Sequence, residues 1–179
     1  MRFSFTTKNE NETIRLGEKI GCLLKPGDVI GLFGELGSGK THMIKGICTA
    51  LECANEVSSP SFTLINKYKG KFPVYHFDCY RINSETEIFD LGYEEYFYGK
   101  GICLIEWAER VTTFLQQEYI GISLKGIYEK GKENIREIDV FINDPSLERR
   151  SWEFLENYDE KRSPNKREKV IPQNCLIVF

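Results

Sequence analysis

Short apolar runs alternate with polar, helix-forming segments along most of the chain. Residues 29–33 and 102–105 are continuous apolar runs, which is typical of strands buried on both faces of a parallel sheet. Residues 62–68 and 74–77 predict two further strands, and residues 2–6 alternate polar and apolar positions as a strand does. Buried strands separated by helical segments indicate an α/β fold.

Helical patterns fill the intervals between these strands. Asn9 can cap a helix, with Glu12 as its reciprocal partner, and apolar residues follow at helical spacing. A second helix is expected after residue 41, residues 83–99 predict one or two short helices, and residues 108–116 predict another. We therefore expect a three-layer sandwich with a mostly parallel sheet.

The last part of the chain has a different pattern. Residues 119–127 and 135–142 alternate around a turn and predict an antiparallel hairpin, which would give the sheet antiparallel edge strands. We expect residues 1–143 to form the main domain. The composition then changes, and we expect residues 144–179 to form a C-terminal extension with a helix, a basic linker and an apolar end.

The composition excludes several functional classes. The chain has 179 residues, and its 24 Lys and Arg against 27 Asp and Glu give a net charge of −3, which argues against a strongly basic, electrostatically driven nucleic-acid binder. No apolar run approaches the ~18 residues of a membrane span. The six cysteines form no Cys-x-x-Cys pair and only two histidines are present, so a zinc site is not expected. Thiols scattered through apolar runs favour buried, reduced cysteines in a cytoplasmic protein. We expect neither a membrane nor a DNA partner.

Residues 34–41, Gly-Glu-Leu-Gly-Ser-Gly-Lys-Thr, match the phosphate-loop pattern G-x-x-x-x-G-K-[ST] in full. Its glycines let backbone N–H groups curl around phosphate oxygens, and the next helix presents its N-terminus to the same charge. Lys40 is expected to reach the β- and γ-phosphates, and the Thr41 hydroxyl to ligate Mg²⁺. The next residue, His42, is interpreted more readily as a polar surface residue than as a ligand.

Two carboxylates stand at the ends of apolar strands. Asp78 follows residues 74–77, and Glu106 follows residues 102–105. The carboxyl ends of parallel strands meet at one edge of the sheet, where such folds bind ligands. We assign Asp78 to the metal shell, and Glu106 either to the metal shell or to the attacking water as its base. Which of the two acids is the base stays open.

Two other nucleotide-handling classes fit the sequence poorly. Residues 66–69, Asn-Lys-Tyr-Lys, lack the Asp of a guanine-specifying Asn-Lys-x-Asp, and residues 78–81, Asp-Cys-Tyr-Arg, lack the glycine of an Asp-x-x-Gly switch. A small-molecule kinase would carry an arginine-rich lid, and no compact one stands between the strands. The sequence therefore favours ATP over GTP, and hydrolysis over transfer to a metabolite.

Three further segments join the phosphate loop in a specific resemblance. Residues 59–63 (Ser-Pro-Ser-Phe-Thr), 76–81 (His-Phe-Asp-Cys-Tyr-Arg) and 105–110 (Ile-Glu-Trp-Ala-Glu-Arg) closely resemble the TsaE family in order and spacing, over residues 1–143. The resemblance implies a P-loop NTPase fold and a Mg²⁺-dependent ATPase. Its partners would be TsaB and TsaD, and tRNA would be reached through that complex, which adds threonylcarbamoyl to the adenosine beside the anticodon. Ser61 stands where the family usually has Thr.

The resemblance also implies residue roles. Thr41 and Glu106 would hold Mg²⁺ with Asp78 near the γ-phosphate, and Glu106, Asp78 and Lys40 would be the catalytic set. The first of the three segments would be a switch loop, and part of the adenine site would lie around residues 10–13. The candidate nucleotide-contacting residues are Thr13, Glu35, Leu36, Gly37, Ser38, Gly39, Lys40, Thr41 and His42.

Two neighbours of these acids have more than one interpretation. His76 shares a strand face with Asp78 and is interpreted as a core histidine, although it could hydrogen-bond near the site. Trp107 could pack in the core or face a partner. Two alternatives to the partner-dependent ATPase also stay open: a nucleotide-gated scaffold with incidental hydrolysis, and a small-molecule kinase.

Overall fold

The computed structural model of the protein describes residues 1–53, 57–60, 63–115, 118–127 and 134–142. The described strands are β1 (Arg2–Thr7), β2 (Val29–Phe33), β3 (Ile65–Lys69), β4 (Pro73–Asp78), β5 (Ile102–Glu106), β6 (Ile120–Gly126) and β7 (Arg136–Ile142). The α-helices are α1 (Glu10–Gly21), α2 (Lys40–Ala50), α3 (Glu85–Asp90) and α4 (Glu94–Phe97). Short 3₁₀ turns cover Cys79–Arg81, Ala108–Arg110 and Thr112–Phe114.

The seven strands form a single mixed sheet in the order β1-β7-β6-β2-β5-β4-β3. Strand β2 pairs in parallel with both β5 and β6, and β4 pairs in parallel with β5. The outer pairs β3–β4, β6–β7 and β1–β7 are antiparallel. This confirms the α/β class with a parallel centre and antiparallel edges, and it puts the phosphate-loop strand β2 in the middle.

Helices cover both faces of the sheet, as the predicted three-layer sandwich requires. One core contains Leu16 and Ile20 from α1 with Met43 and Ile47 from α2. The two helices approach closely because a Cβ on Gly46 would lie 1.9 Å from the carbonyl oxygen of Ile14. The close contact fixes the position of α2, and therefore of the phosphate-binding residues at its start.

The opposite face is covered by the short elements between β4 and β5 and after β5. Its core combines Phe77 and Ile105 from the sheet with Ile88 from α3, Phe97 from α4 and Val111. The two short helices confirm the prediction for residues 83–99. None of the helices in the described ranges is long and apolar enough to cross a membrane.

The single helix predicted over residues 108–116 is wrong for the described part of that range. Two 3₁₀ turns replace it, because Trp107 adopts a left-handed backbone with φ 60° and Val111 leaves the helical region with φ −130°. The sequence Val111-Thr112-Thr113 is β-branched and forms helix poorly. Gln116 lies outside the described residues.

The strand predicted over residues 62–68 begins later than expected, at Ile65. Leu64 has φ 64°, and its N–H donates to the carbonyl of Pro60 at 2.8 Å, which makes a turn before the strand. The hairpin of β6 and β7 is confirmed. Ser61, Phe62, most of the predicted hairpin turn and the extension at 144–179 lie outside the described residues, so these predictions stay predictions.

Candidate nucleotide site

The phosphate loop leaves β2 and enters α2 through backbone conformations that favour glycine. Gly34, Gly37 and Gly39 have φ values of 135°, 78° and 101°. A Cβ on Gly34 would lie 2.1 Å from the carbonyl oxygen of Leu124 on β6, so this loop passes directly against the sheet. Gly39 is the N-cap of α2 and carries no side-chain cap, which leaves the helix N-terminus available to an anion.

Lys40 is buried beneath this loop, with 4% of its surface exposed. Its Nζ donates to the carbonyl oxygens of Gly34 at 2.7 Å and Glu35 at 2.9 Å. The same nitrogen lies 3.8 Å from the centroid of the Trp107 ring, a cation–π distance. The ammonium is therefore held by contacts within the protein itself.

Burial lowers the pKa of Lys40, while the charges of Glu106, Glu109 and Asp78 oppose that shift. The lysine therefore lies in the electrostatic field of these carboxylates. Negative phosphate oxygens entering the cleft would favour the charged form of Lys40 in the same way.

The two predicted acids lie side by side at the ends of neighbouring strands. Asp78 on β4 is paired in register with Glu106 on β5, and both side chains are buried. The hydroxyl of Thr41 donates to Oε1 of Glu106 at 2.9 Å. The structure thus brings Lys40, Thr41, Asp78 and Glu106 together, as the strand-end argument predicts.

Each acid is held by further hydrogen bonds. Oδ1 of Asp78 accepts from the N–H of Tyr80 at 3.1 Å, and Oδ2 accepts from the hydroxyl of Ser59, a residue of the predicted switch segment. Oε1 of Glu106 also lies 3.0 Å from Nε2 of His76. The acids are therefore oriented by hydrogen bonds within the protein.

These residues border a cleft of about 530 Å³. The predicted ligand residues on its wall are Leu36, Gly37, Gly39, Lys40, Thr41, His42, Asp78 and Glu106. His42 lies 3.5 Å from the carboxylate of Glu10, another wall residue. The residues predicted around 10–13 thus reach the cleft through Glu10.

Three predicted residues lie off this wall. Thr13 is fully buried, and its hydroxyl shares a hydrogen bond with Thr7 at 2.8 Å. Glu35 contributes its backbone carbonyl to Lys40. The hydroxyl of Ser38 is buried, and within the described ranges it has no hydrogen-bond partner. The structure therefore gives these three no direct side-chain contact with the cleft.

Sequence reasoning missed Arg136, the first residue of β7, which also lines the cleft. Its Nη1 donates to the carbonyl of Asn134 at 2.6 Å, and a Cβ on Gly39 would lie 2.7 Å from its Nε. In the part of the chain that the structure describes, that buried Nε has no partner. Arg136 could have been predicted only from the strand order of the sheet, because that order places β7 beside β6 and β6 beside β2.

The donor set fits Mg²⁺ bound together with a nucleotide. Hydroxyl and carboxylate oxygens from Thr41, Asp78 and Glu106 are the hard ligands that this ion takes. Across the described residues, no group of three or more His, Cys, Asp or Glu side chains could hold a metal by itself. Magnesium typically keeps waters and binds through one or two carboxylates plus substrate phosphates, which matches this arrangement.

Comparison with known proteins identifies the family. Residues 7–136 match the family described as "Threonylcarbamoyl adenosine biosynthesis protein TsaE". The chain belongs to this family. The range matched by the family includes the phosphate loop, Asp78, Glu106, His76, Trp107 and Arg136.

Curated relatives and a solved structure agree with this assignment. The chain is 39% identical over 127 residues to the tRNA threonylcarbamoyladenosine biosynthesis protein TsaE of Treponema pallidum, covering 71% of this chain and 94% of that protein. It is 42% identical over 125 residues to the TsaE of Bacillus subtilis, covering 69% and 78%. The crystal structure of Bacillus subtilis YdiB superposes with a TM-score of 0.71 at 32% identity, covering 89% of this chain and 97% of that one.

Proposed function

We propose that the protein is a Mg²⁺-dependent ATPase that works in the threonylcarbamoylation of tRNA. The observation that carries the proposal is the convergence of a buried lysine, a helix-start threonine and two strand-end acids on one cleft. Lys40 and Thr41 come from the phosphate loop, and Asp78 and Glu106 come from adjacent strands. Phosphoryl transfer to water needs this combination of phosphate cradle, metal ligands and water-orienting carboxylate.

The residues divide this work by position. Thr41, Glu106 and Asp78 would hold Mg²⁺, which neutralises charge on the phosphates when it is bound. Lys40 would leave the carbonyls of its own loop and pair with phosphate oxygens. Arg136 would add a second cation on the β7 side of the same cleft. Either Asp78 or Glu106 would orient the attacking water.

The nucleotide is proposed to be ATP rather than GTP. Asn66, which a guanine site would have to use, lies on the edge strand β3. Its side-chain nitrogen donates to the carbonyl of Ser58 at 3.1 Å and to the hydroxyl of Tyr68 at 3.2 Å. The amide is therefore occupied within the fold and is absent from the cleft wall.

The partners are proposed to be proteins of the TsaB and TsaD type, with tRNA reached through their complex. The curated relatives carry tRNA threonylcarbamoyladenosine biosynthesis in their names. A cytoplasmic location follows from that role, and Cys48, Cys79 and Cys103 carry thiols that form no disulfide. We propose neither a DNA nor a membrane partner.

A competition and turnover experiment tests the proposal. Unlabelled ATP and GTP would compete against a fluorescent ATP analogue on the full chain with Mg²⁺, and phosphate release would be followed with TsaB-type and TsaD-type partners and tRNA. We expect ATP to compete far better than GTP and hydrolysis to depend on Mg²⁺ and on the partners. Equal competition by GTP would contradict the adenine assignment, and tRNA modification without phosphate release would favour a nucleotide-gated scaffold.

A further inference from the structure

His76 contacts Glu106 from behind the cleft wall. The histidine is fully buried on β4 and does not line the cleft, yet its Nε2 lies 3.0 Å from Oε1 of Glu106. An ionised carboxylate can only accept hydrogen bonds, so Nε2 carries the hydrogen and donates it. His76 therefore touches the acid without being placed to touch a nucleotide.

Two donors converge on the same oxygen of Glu106. The hydroxyl of Thr41, at the start of α2, donates to Oε1 at 2.9 Å, and His76 donates to it from β4. Neither of these donors reaches Oε2. Hydrogen bonds to a charged acceptor are roughly twice as strong as neutral ones. The carboxylate is thus fixed through one oxygen, while its other oxygen is left to ligands.

The second ring nitrogen of His76 shows that packing alone does not explain this residue. Nδ1 is buried, and it has no hydrogen-bond partner in the described part of the chain. An unsatisfied buried polar group costs about 1–3 kcal/mol. A leucine at this site would fill space without that cost. The donor function of Nε2 accounts for a polar side chain here.

We propose that His76 is a positioning residue that holds Glu106 in the orientation in which it binds Mg²⁺ with the nucleotide. The inference rests on the proposed function, because it requires Glu106 to be a metal ligand. Removing a hydrogen-bond partner of a metal ligand typically reduces metal affinity or activity by about 10–100-fold. The expected effect is therefore on the magnesium requirement, with little effect on nucleotide binding without metal.

Three substitutions separate the donor from the rest of the side chain. The amide nitrogen of His76→Gln lies near the place of Nε2 and can still donate to Glu106. The amide nitrogen of His76→Asn corresponds to Nδ1, which faces no partner among the described residues, so this variant loses the contact. His76→Leu removes both nitrogens and suits a fully buried site. Gln is therefore the rescue variant, and Asn and Leu are the loss variants.

The measurement is calorimetric titration of the full chain with ATP over a range of Mg²⁺ concentrations, with a matched titration in EDTA and a thermal melt of each variant. We expect the Mg²⁺ concentration at the midpoint to rise about 10–100-fold in His76→Asn and His76→Leu. It should stay within a few-fold of wild type in His76→Gln. Affinity in EDTA should be equal in all four proteins.

Several results would overturn the proposal. One is a magnesium midpoint in His76→Leu that equals that of wild type. Another is a magnesium midpoint raised equally in the His76→Gln and His76→Asn variants. A third is a loss of ATP affinity in EDTA that parallels the rise of the magnesium midpoint. If His76→Asn does not fold, the Leu and Gln variants decide the question, and failure of Leu to fold as well would assign His76 to stability alone. A wild-type chain that binds ATP without any Mg²⁺ dependence would instead contradict the proposed function.

Discussion

Replacing Glu106 with glutamine separates the chemistry of the site from its assembly. Oε1 of Glu106 accepts from Thr41 at 2.9 Å and from His76 at 3.0 Å. The amide oxygen of the glutamine in Glu106→Gln would accept from both, so the side chain keeps its position while the charge is lost. The variant no longer carries the cost of burying a charged carboxylate, and this gain offsets the lost attraction between Glu106 and Lys40. We therefore expect the free energy of unfolding to change by less than about 1 kcal/mol.

The effect on hydrolysis should be much larger. Loss of a general base commonly costs ~10²–10⁴ in rate, which corresponds to about 3–5 kcal/mol of transition-state free energy. Loss of a charged metal ligand would also slow the reaction, because the metal stabilises the charge on the phosphoryl group in the transition state. In the proposed site, ATP binding would draw instead on the loop backbone and Lys40. Glu106→Gln should thus keep much of the ATP affinity while phosphate release collapses.

The assay combines phosphate release, ATP titration and multiple-turnover tRNA modification with the TsaB-type and TsaD-type partners. The matched control is Glu118→Gln, which removes an exposed carboxylate that lies off the cleft wall. The control should behave as wild type. Modification by Glu106→Gln at the wild-type rate, with hydrolysis shown to be absent, would refute the enzyme interpretation and leave the nucleotide-gated scaffold.

Three further predictions concern binding, folding and pH. Lys40→Ala should weaken ATP binding about 10–100-fold, since a hydrogen bond to a charged group contributes ~1.5–3 kcal/mol. An unchanged ATP affinity, measured by calorimetry, would contradict the proposal that Lys40 binds phosphate. A chain ending at Asn143 should fold and bind ATP because β7 ends at Ile142, and an insoluble or nucleotide-blind product would show that the remainder completes the core. Asp139→Asn should lower stability at neutral pH by at most ~1 kcal/mol. Bonds from Arg2 and Ser4 lower the pKa of Asp139, so this contribution is present above its unfolded pKa of ~3.9 and lost as pH falls through the lower folded pKa. In acid, the free energies of unfolding of wild type and Asp139→Asn, measured with urea, should then be equal. A difference in stability that persists in acid would count against the pairing of Asp139 with Arg2.

Much of the site could be predicted because its signals are local or follow from sheet geometry. The glycine spacing in residues 34–41 needs no tertiary information, and Asp78 and Glu106 meet because parallel strands end at one edge. Arg136 could not be found this way, since its position depends on β7 joining the sheet beyond β6. The helix predicted after Trp107 did not form because Trp107 adopts a left-handed backbone with φ 60°. Its ring packs against Lys40 and Tyr80, which are distant in the sequence, so the local pattern does not show these contacts.

The protein itself supplies contacts around Lys40 that a bound phosphate would have to replace. Two carbonyl oxygens at 2.7 and 2.9 Å and an indole face at 3.8 Å solvate the ammonium. An incoming anion must exchange for these three contacts, so its net gain is smaller than the contacts it makes. A single inorganic phosphate would gain little from that exchange, whereas a polyphosphate chain would also meet the helix N-terminus and Arg136 on the cleft wall. The cleft should therefore discriminate by the length of the phosphate chain, and it should release free phosphate readily once the chain has been cut.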